Sequence, residues 1–122
     1  MTQEKSVSGT GARRVASSLP NVSVELLEFS RFENTLTLKL QFMNAGEKGQ
    51  SGHPGYGSYL LDEKTGEKYK NTVYSWQGSN VIIPADGSLY YWVKFTLPDG
   101  EWPKHLTAVL NGVLLEHLEV PQ

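Results

Sequence analysis

Residues 35 to 43 read Thr35-Leu36-Thr37-Leu38-Lys39-Leu40-Gln41-Phe42-Met43. Leu36, Leu38, Leu40 and Phe42 occupy every second position, with Thr37, Lys39 and Gln41 between them. Successive side chains of a strand point to opposite faces, so this spacing predicts a half-buried strand. On a helix the same apolar residues would scatter around the axis. Ser88–Leu97 repeats the pattern, with Leu89, Tyr91, Val93, Phe95 and Leu97 on one face and Tyr90, Trp92, Lys94 and Thr96 on the other. The predicted core therefore includes Leu36, Leu38, Leu40, Phe42, Tyr91, Val93 and Phe95.

Working outward, Val22, Val24 and Leu26 make a third strand, and Leu27 and Phe29 then break the alternation, as a bulge or a change of sheet would. Asn80–Ile83 gives a short strand ended by Pro84. Asp62-Glu63-Lys64-Thr65-Gly66 separates Tyr59–Leu61 from Glu67–Lys70 and predicts a hairpin whose late glycine is left-handed. Asn111-Gly112, between Leu106–Leu110 and Val113–Leu115, is the strongest short hairpin signal and predicts a type I′ turn. Pro84-Ala85-Asp86-Gly87 and Pro98-Asp99-Gly100 are further reversals. Asn44–Gly57, with five glycines and a proline, reads as one long irregular loop.

Turn chemistry thus recurs across about 100 residues, with no helical periodicity. The fold class expected is all-β: an immunoglobulin-like antiparallel β-sandwich of seven to eight strands over residues 21–122. Residues 1–20 carry Lys5, Arg13 and Arg14 against Glu4 and are otherwise mostly small and polar, so they read as a flexible leader.

The chain has 122 residues, enough for one domain, and its 39% apolar and 20% charged residues suit a packed core. A net charge of −2 gives no field that draws it to nucleic acid. Cysteine is absent, which removes disulfides, thiolate metal sites and a thiol nucleophile. No apolar stretch approaches the roughly 18 residues of a membrane span. The N-terminal residues have no apolar region of the kind a signal peptide carries.

The succession Phe42-Met43-Asn44-Ala45-Gly46, Tyr59-Leu60-Leu61-Asp62, Thr65-Gly66-Glu67-Lys68-Tyr69, Ile83-Pro84-Ala85-Asp86-Gly87, the strand Tyr91–Leu97 and the closing Leu106–Val120 hairpin resembles bacterial exported domains of immunoglobulin-like fold. These are the class related to a secreted mycobacterial antigen. The resemblance covers roughly residues 21 to 120 and rests on turn and core positions. It implies a secreted or cell-envelope setting, often as a lipoprotein or an attached module; this chain has no cysteine to carry the lipid.

Catalytic chemistry finds no support in the residue pattern. The serines lack a nucleophile elbow, and no histidine stands in a triad context. Asp62/Glu63 and Asp99/Glu101 lie in turns, where acids serve local backbone hydrogen bonds, and Glu116/Glu119 lies in the last hairpin. No helix follows the glycines of 49–57, so no phosphate loop is present. His53, His105 and His117 have no metal-binding spacing, although the last hairpin brings His105 near His117 as a candidate metal pair, with His117 opposite Leu106. The plainer reading makes His117 a half-exposed strand residue.

Aromatics carry the most functional potential. Tyr90 and Trp92 share the non-core face of their strand with Lys94, and Tyr56, Tyr74, Trp76 and Trp102 lie in or near loops. The expected binding residues are Tyr90, Trp92, Tyr56 and Trp76, with no cofactor. The reading that results is a non-enzymatic module making protein contacts; its alternatives are a carbohydrate-binding module that stacks sugars on Tyr90, Trp92 and Trp76, and a metal-binding protein.

Overall fold

In the computed structural model, described over residues 5–6, 13–77 and 79–121, the regular structure is entirely β. The strands are β1 (Lys5–Ser6), β2 (Arg13–Ala16), β3 (Val22–Phe32), β4 (Thr35–Asn44), β5 (Gln50–Gly52), β6 (Tyr59–Asp62), β7 (Lys68–Tyr74), β8 (Val81–Ile83), β9 (Gly87–Thr96), β10 (His105–Leu110) and β11 (Val113–Glu119). No helix among these residues is long and apolar enough to cross a membrane.

The alternating segment is β4, and it lies between β3 and β9 with antiparallel partners throughout. Its ladder with β9 runs unbroken from Thr35 opposite Thr96 to Asn44 opposite Gly87. Leu36, Leu38 and Leu40 face Phe95, Val93 and Tyr91 across that ladder, and all six are at most 2% exposed. The register of β3 shifts between Leu26 and Glu28, where the alternation breaks in the sequence, and this returns Phe29 to the interior.

The expected pair of separate sheets is replaced by one continuous antiparallel sheet in the order β1-β3-β4-β9-β7-β6-β10-β11, with β2 also on β3 and a two-stranded β5-β8 piece beside it. The physical reason is β7. Lys68–Lys70 pairs with β6, and from Asn71 onward the same strand pairs with β9, with an irregularity between Asn71 and Val73. A bulged strand can turn such a corner and join two layers. The sheet then rolls until its ends approach: β2 comes beside β11, and Ser18 N–H donates to Gly112 O at 2.9 Å. The result is barrel-like.

Three local expectations change. Within the stretch read as a leader, Arg13–Ala16 is a strand paired with Ser23–Leu26, and Val15 and Leu19 pack on the core; residues 1–4 and 7–12 lie outside the described residues. A neighbouring ladder supplies what this four-residue segment, half of it arginine, lacks on its own. The Asn44–Gly57 stretch contains β5, held by β8. At Asn111-Gly112 the hairpin forms, but only Gly112 has positive φ (89°), so the backbone is of type II character instead of I′.

Candidate functional site

Tyr90 and Trp92 stand on the outer side of β9, 66% and 37% exposed, because Tyr91 and Val93 take the inner side. Trp92 lies opposite Lys39, whose ammonium pairs with Glu28 at 3.1 Å, and Tyr90 lies opposite Gln41. Lys94 is 5.7 Å from the Trp92 ring and opposite Val73, itself 37% exposed. Ser75 fixes the backbone beneath: its hydroxyl accepts from Trp92 N–H at 2.9 Å, and its own N–H donates to Trp92 O at 3.0 Å. An aromatic and aliphatic ridge is thus mounted on the rigid outer face of a packed sheet.

Tyr56 and Trp76 lie elsewhere. The Trp76 ring sits 6.1 Å from that of Tyr91 and 30° from its plane, and its backbone is left-handed (φ 50°). Tyr56 lies 5.4 Å from the His53 ring, and His53 Nε2 is 3.4 Å from the Tyr74 hydroxyl. Gly55 N–H donates to the Tyr91 hydroxyl at 2.9 Å. Burial pushes the Tyr91 phenol up to about 12, with the Gly55 hydrogen bond opposing and Tyr74 adding to the rise. The four residues singled out in the sequence therefore divide into an outer pair and two loop residues, and among the described residues no ring contact joins Tyr90 or Trp92 to the others. Tyr74 and Trp102, also near loops, are core residues at 8% exposure; the Trp102 indole donates to Pro98 O at 3.0 Å and carries the Arg31 guanidinium 3.6 Å above its ring.

At the far end of β10 the structure assembles a polar cluster that the sequence did not predict. The β10–β11 register is His105 opposite Glu119 and Leu106 opposite Leu118, not His117, because Glu116 and His117 together bulge against Thr107. His117 takes a left-handed backbone (φ 56°). Glu63, from the β6–β7 turn, reaches across β10 to hold it. The carboxylate accepts the Thr107 hydroxyl at 2.7 Å and the His117 backbone N–H at 2.7 Å, and it lies 3.0 Å from His117 Nδ1. The Thr107 bond, then the His117 bond, hold the Glu63 carboxyl below its ordinary value against the opposing effect of desolvation. Asp62 plays the turn role expected of both acids: burial acts to raise its pKa, but its Oδ1 accepts from Lys64 and Thr65 N–H, and these bonds together with the nearby Lys64 charge bring it below the ordinary value.

His105 and His117 do meet, as parallel rings 4.1 Å apart and 8° from coplanar. Stacked imidazoles send their in-plane lone pairs side by side, not toward a shared point. Among the described residues no group of three or more His, Asp and Glu is placed to hold a metal. Beside this cluster lies an open groove of about 780 Å³, lined by Glu63, Glu67, Glu101, Lys64, Lys104 and Tyr69 among others. Nothing in the local sequence marks Glu63 apart from Asp62, because its partners Thr107 and His117 lie 44 and 54 positions away.

No family model matches the chain, and no curated protein matches it. Among solved structures it is similar to the crystal structure of the yjhA protein from Bacillus subtilis, with a TM-score of 0.58 over 85% of this chain and 81% of that one, at 14% sequence identity. The likeness is one of fold.

Proposed function

We propose that the protein is a non-enzymatic binding module that docks a protein partner on the outer face of β9, in the bacterial envelope or secreted setting implied by the sequence resemblance. The carrying observation is the ridge of Tyr90, Trp92 and Val73 beside Lys94, solvent-facing on a sheet whose other side is fully packed. Interface hot spots are enriched in tryptophan and tyrosine, and a rigid base lets them bind without a large ordering cost. We also propose that the barrel-like sheet is an immunoglobulin-like Greek key in which β7 bridges the two layers, a reading supported by the strand order β3-β4-β9-β7 followed by β6-β10-β11.

The test is a photo-reactive residue placed at position 90 in the native cell. A discrete protein adduct, lost with Trp92→Ala and absent when the probe sits at exposed Lys64, supports the reading. Equal labelling from both positions, or none from position 90, overturns it. Binding to a glycan array that Trp92→Ala abolishes would replace the protein partner with a saccharide.

A further inference from the structure

Opposite the charged groove, at the Leu110 end of β10, three short segments are riveted together. Asn111 N–H donates to Pro54 O at 2.9 Å, Asn111 Nδ2 to His53 O at 3.3 Å, and Ser18 N–H to Gly112 O at 2.9 Å. They enclose a recess of about 230 Å³. Half-buried Leu19 contributes the apolar surface, backed by the buried side chains of Phe42 and Val113, and Ser18, Ser51, His53 and Asn111 contribute polar groups. Among the described residues, no lysine, arginine, aspartate or glutamate lines it. The Ser17 hydroxyl is used internally, donating to Val22 O at 2.8 Å, whereas among the described residues no intramolecular hydrogen bond uses the hydroxyls of Ser18 or Ser51, both exposed.

We propose that this recess binds one ring of a neutral saccharide. Its volume lies below the roughly 300 Å³ at which sites for drug-sized ligands begin, which suits a single ring. A pyranose offers C–H surface to the apolar wall and hydroxyls that both donate and accept, the same dual capacity as the two serine hydroxyls. The Asn111 amide is oriented by its bond to His53 O, and His53 by the Tyr74 hydroxyl at Nε2, so the polar groups are positioned before a ligand arrives. The absence of formal charge from the lining disfavours acidic and amino sugars, whose charge would be desolvated without a counter-ion. The assignment is independent of the β9 ridge.

The experiment is an amide-resolved NMR titration with the methyl glycosides of glucose, galactose, mannose and N-acetylglucosamine, using glucuronate and glucosamine as charged counterparts. At least one neutral sugar is expected to shift the amides of Ser18, Ser51, His53 and Gly112. Ser18→Ala and Ser51→Ala, both at exposed positions, are each expected to weaken that sugar roughly three- to tenfold, the equivalent of one hydrogen bond. Trp92→Ala is expected to leave the affinity unchanged. Shifts confined to β9, no shifts with any neutral sugar, indifference to both serine variants, or tighter binding of a charged counterpart would each overturn the assignment.

Discussion

The β3–β4–β9 region and the β6–β7–β10–β11 region are built on different principles. In the first, β4 pairs with β9 over ten consecutive positions, and the inward side chains are apolar at every second residue. In the second, the β6–β10 ladder has four pairs, β7 and β11 are both irregular, and polar side chains secure the backbone. Asn71 Nδ2 lies within 3.1 Å of Gly55 O, Ser58 O and Ser58 Oγ, and Glu63 clasps the bulge at His117. The contrast teaches that alternation suffices where strands run straight, whereas corners need hydrogen bonds from specific side chains. Both recesses border the second region.

The contrast can be broken by substitution, and the largest effect is expected in the straight region. Leu40→Ala removes a fully buried side chain and should cost about 2–5 kcal/mol in urea denaturation. A loss below about 0.5 kcal/mol would mean that alternation is not what holds that region. Gly55→Ala comes next, because a Cβ there would run into the Tyr74 ring and the Tyr91 hydroxyl. Both rings are core residues with little room to yield, so about 1–3 kcal/mol is expected, and no change in melting temperature would show that the loop gives way freely.

Glu63→Ala probes the clasp itself. It leaves the Thr107 hydroxyl and the His117 N–H without their acceptor, and about 0.5–1.5 kcal/mol should be lost, with NMR shifts centred on Glu116–His117. The pH dependence has a defined sign. A carboxylate whose folded pKa is depressed stabilises the fold above its unfolded pKa, and that contribution disappears as pH falls through the folded value. The wild-type protein should therefore lose more stability than Glu63→Gln on acidification below the ordinary glutamate range; parallel curves would rule the clasp out as the source. Smallest of all, Tyr90→Ala should change stability by less than about 0.5 kcal/mol, since the ring is mostly in solvent. A larger loss would make the outer ridge part of the packing.

The same division explains what could be read from the amino-acid order. Leu36 to Phe42 and Tyr91 to Phe95 announce their burial through period two, and the bulge near Leu27 shows as a break in that period. Gly66 (φ 80°) and Gly112 (φ 89°) mark two turns through the one residue that adopts such backbone without strain. Glu33 takes φ 53° between β3 and β4 with no glycine to betray it. The splitting of Tyr56 and Trp76 from Tyr90 and Trp92 depends on how loops fold over the sheet end, and the switch of β7 between partners depends on long-range pairing. Neither leaves a local pattern. An unbroken ladder from the Asn111-Gly112 turn would put His117 opposite Leu106, and the extra residue of the bulge moves it by one step.

That bulge has a consequence for the chain's solubility. β11 ends the sheet path, and beyond the Gly112 end that Ser18 fastens, its outer side pairs with no strand among the described residues and is an edge that a strand from another molecule could copy. The left-handed kink at His117, two residues before the strand ends, interrupts this edge, and exposed Glu116 and Glu119 place like charges on either side of it. An incoming strand meets a short, twisted and negatively charged template, which is how natural sheets avoid growing into fibrils.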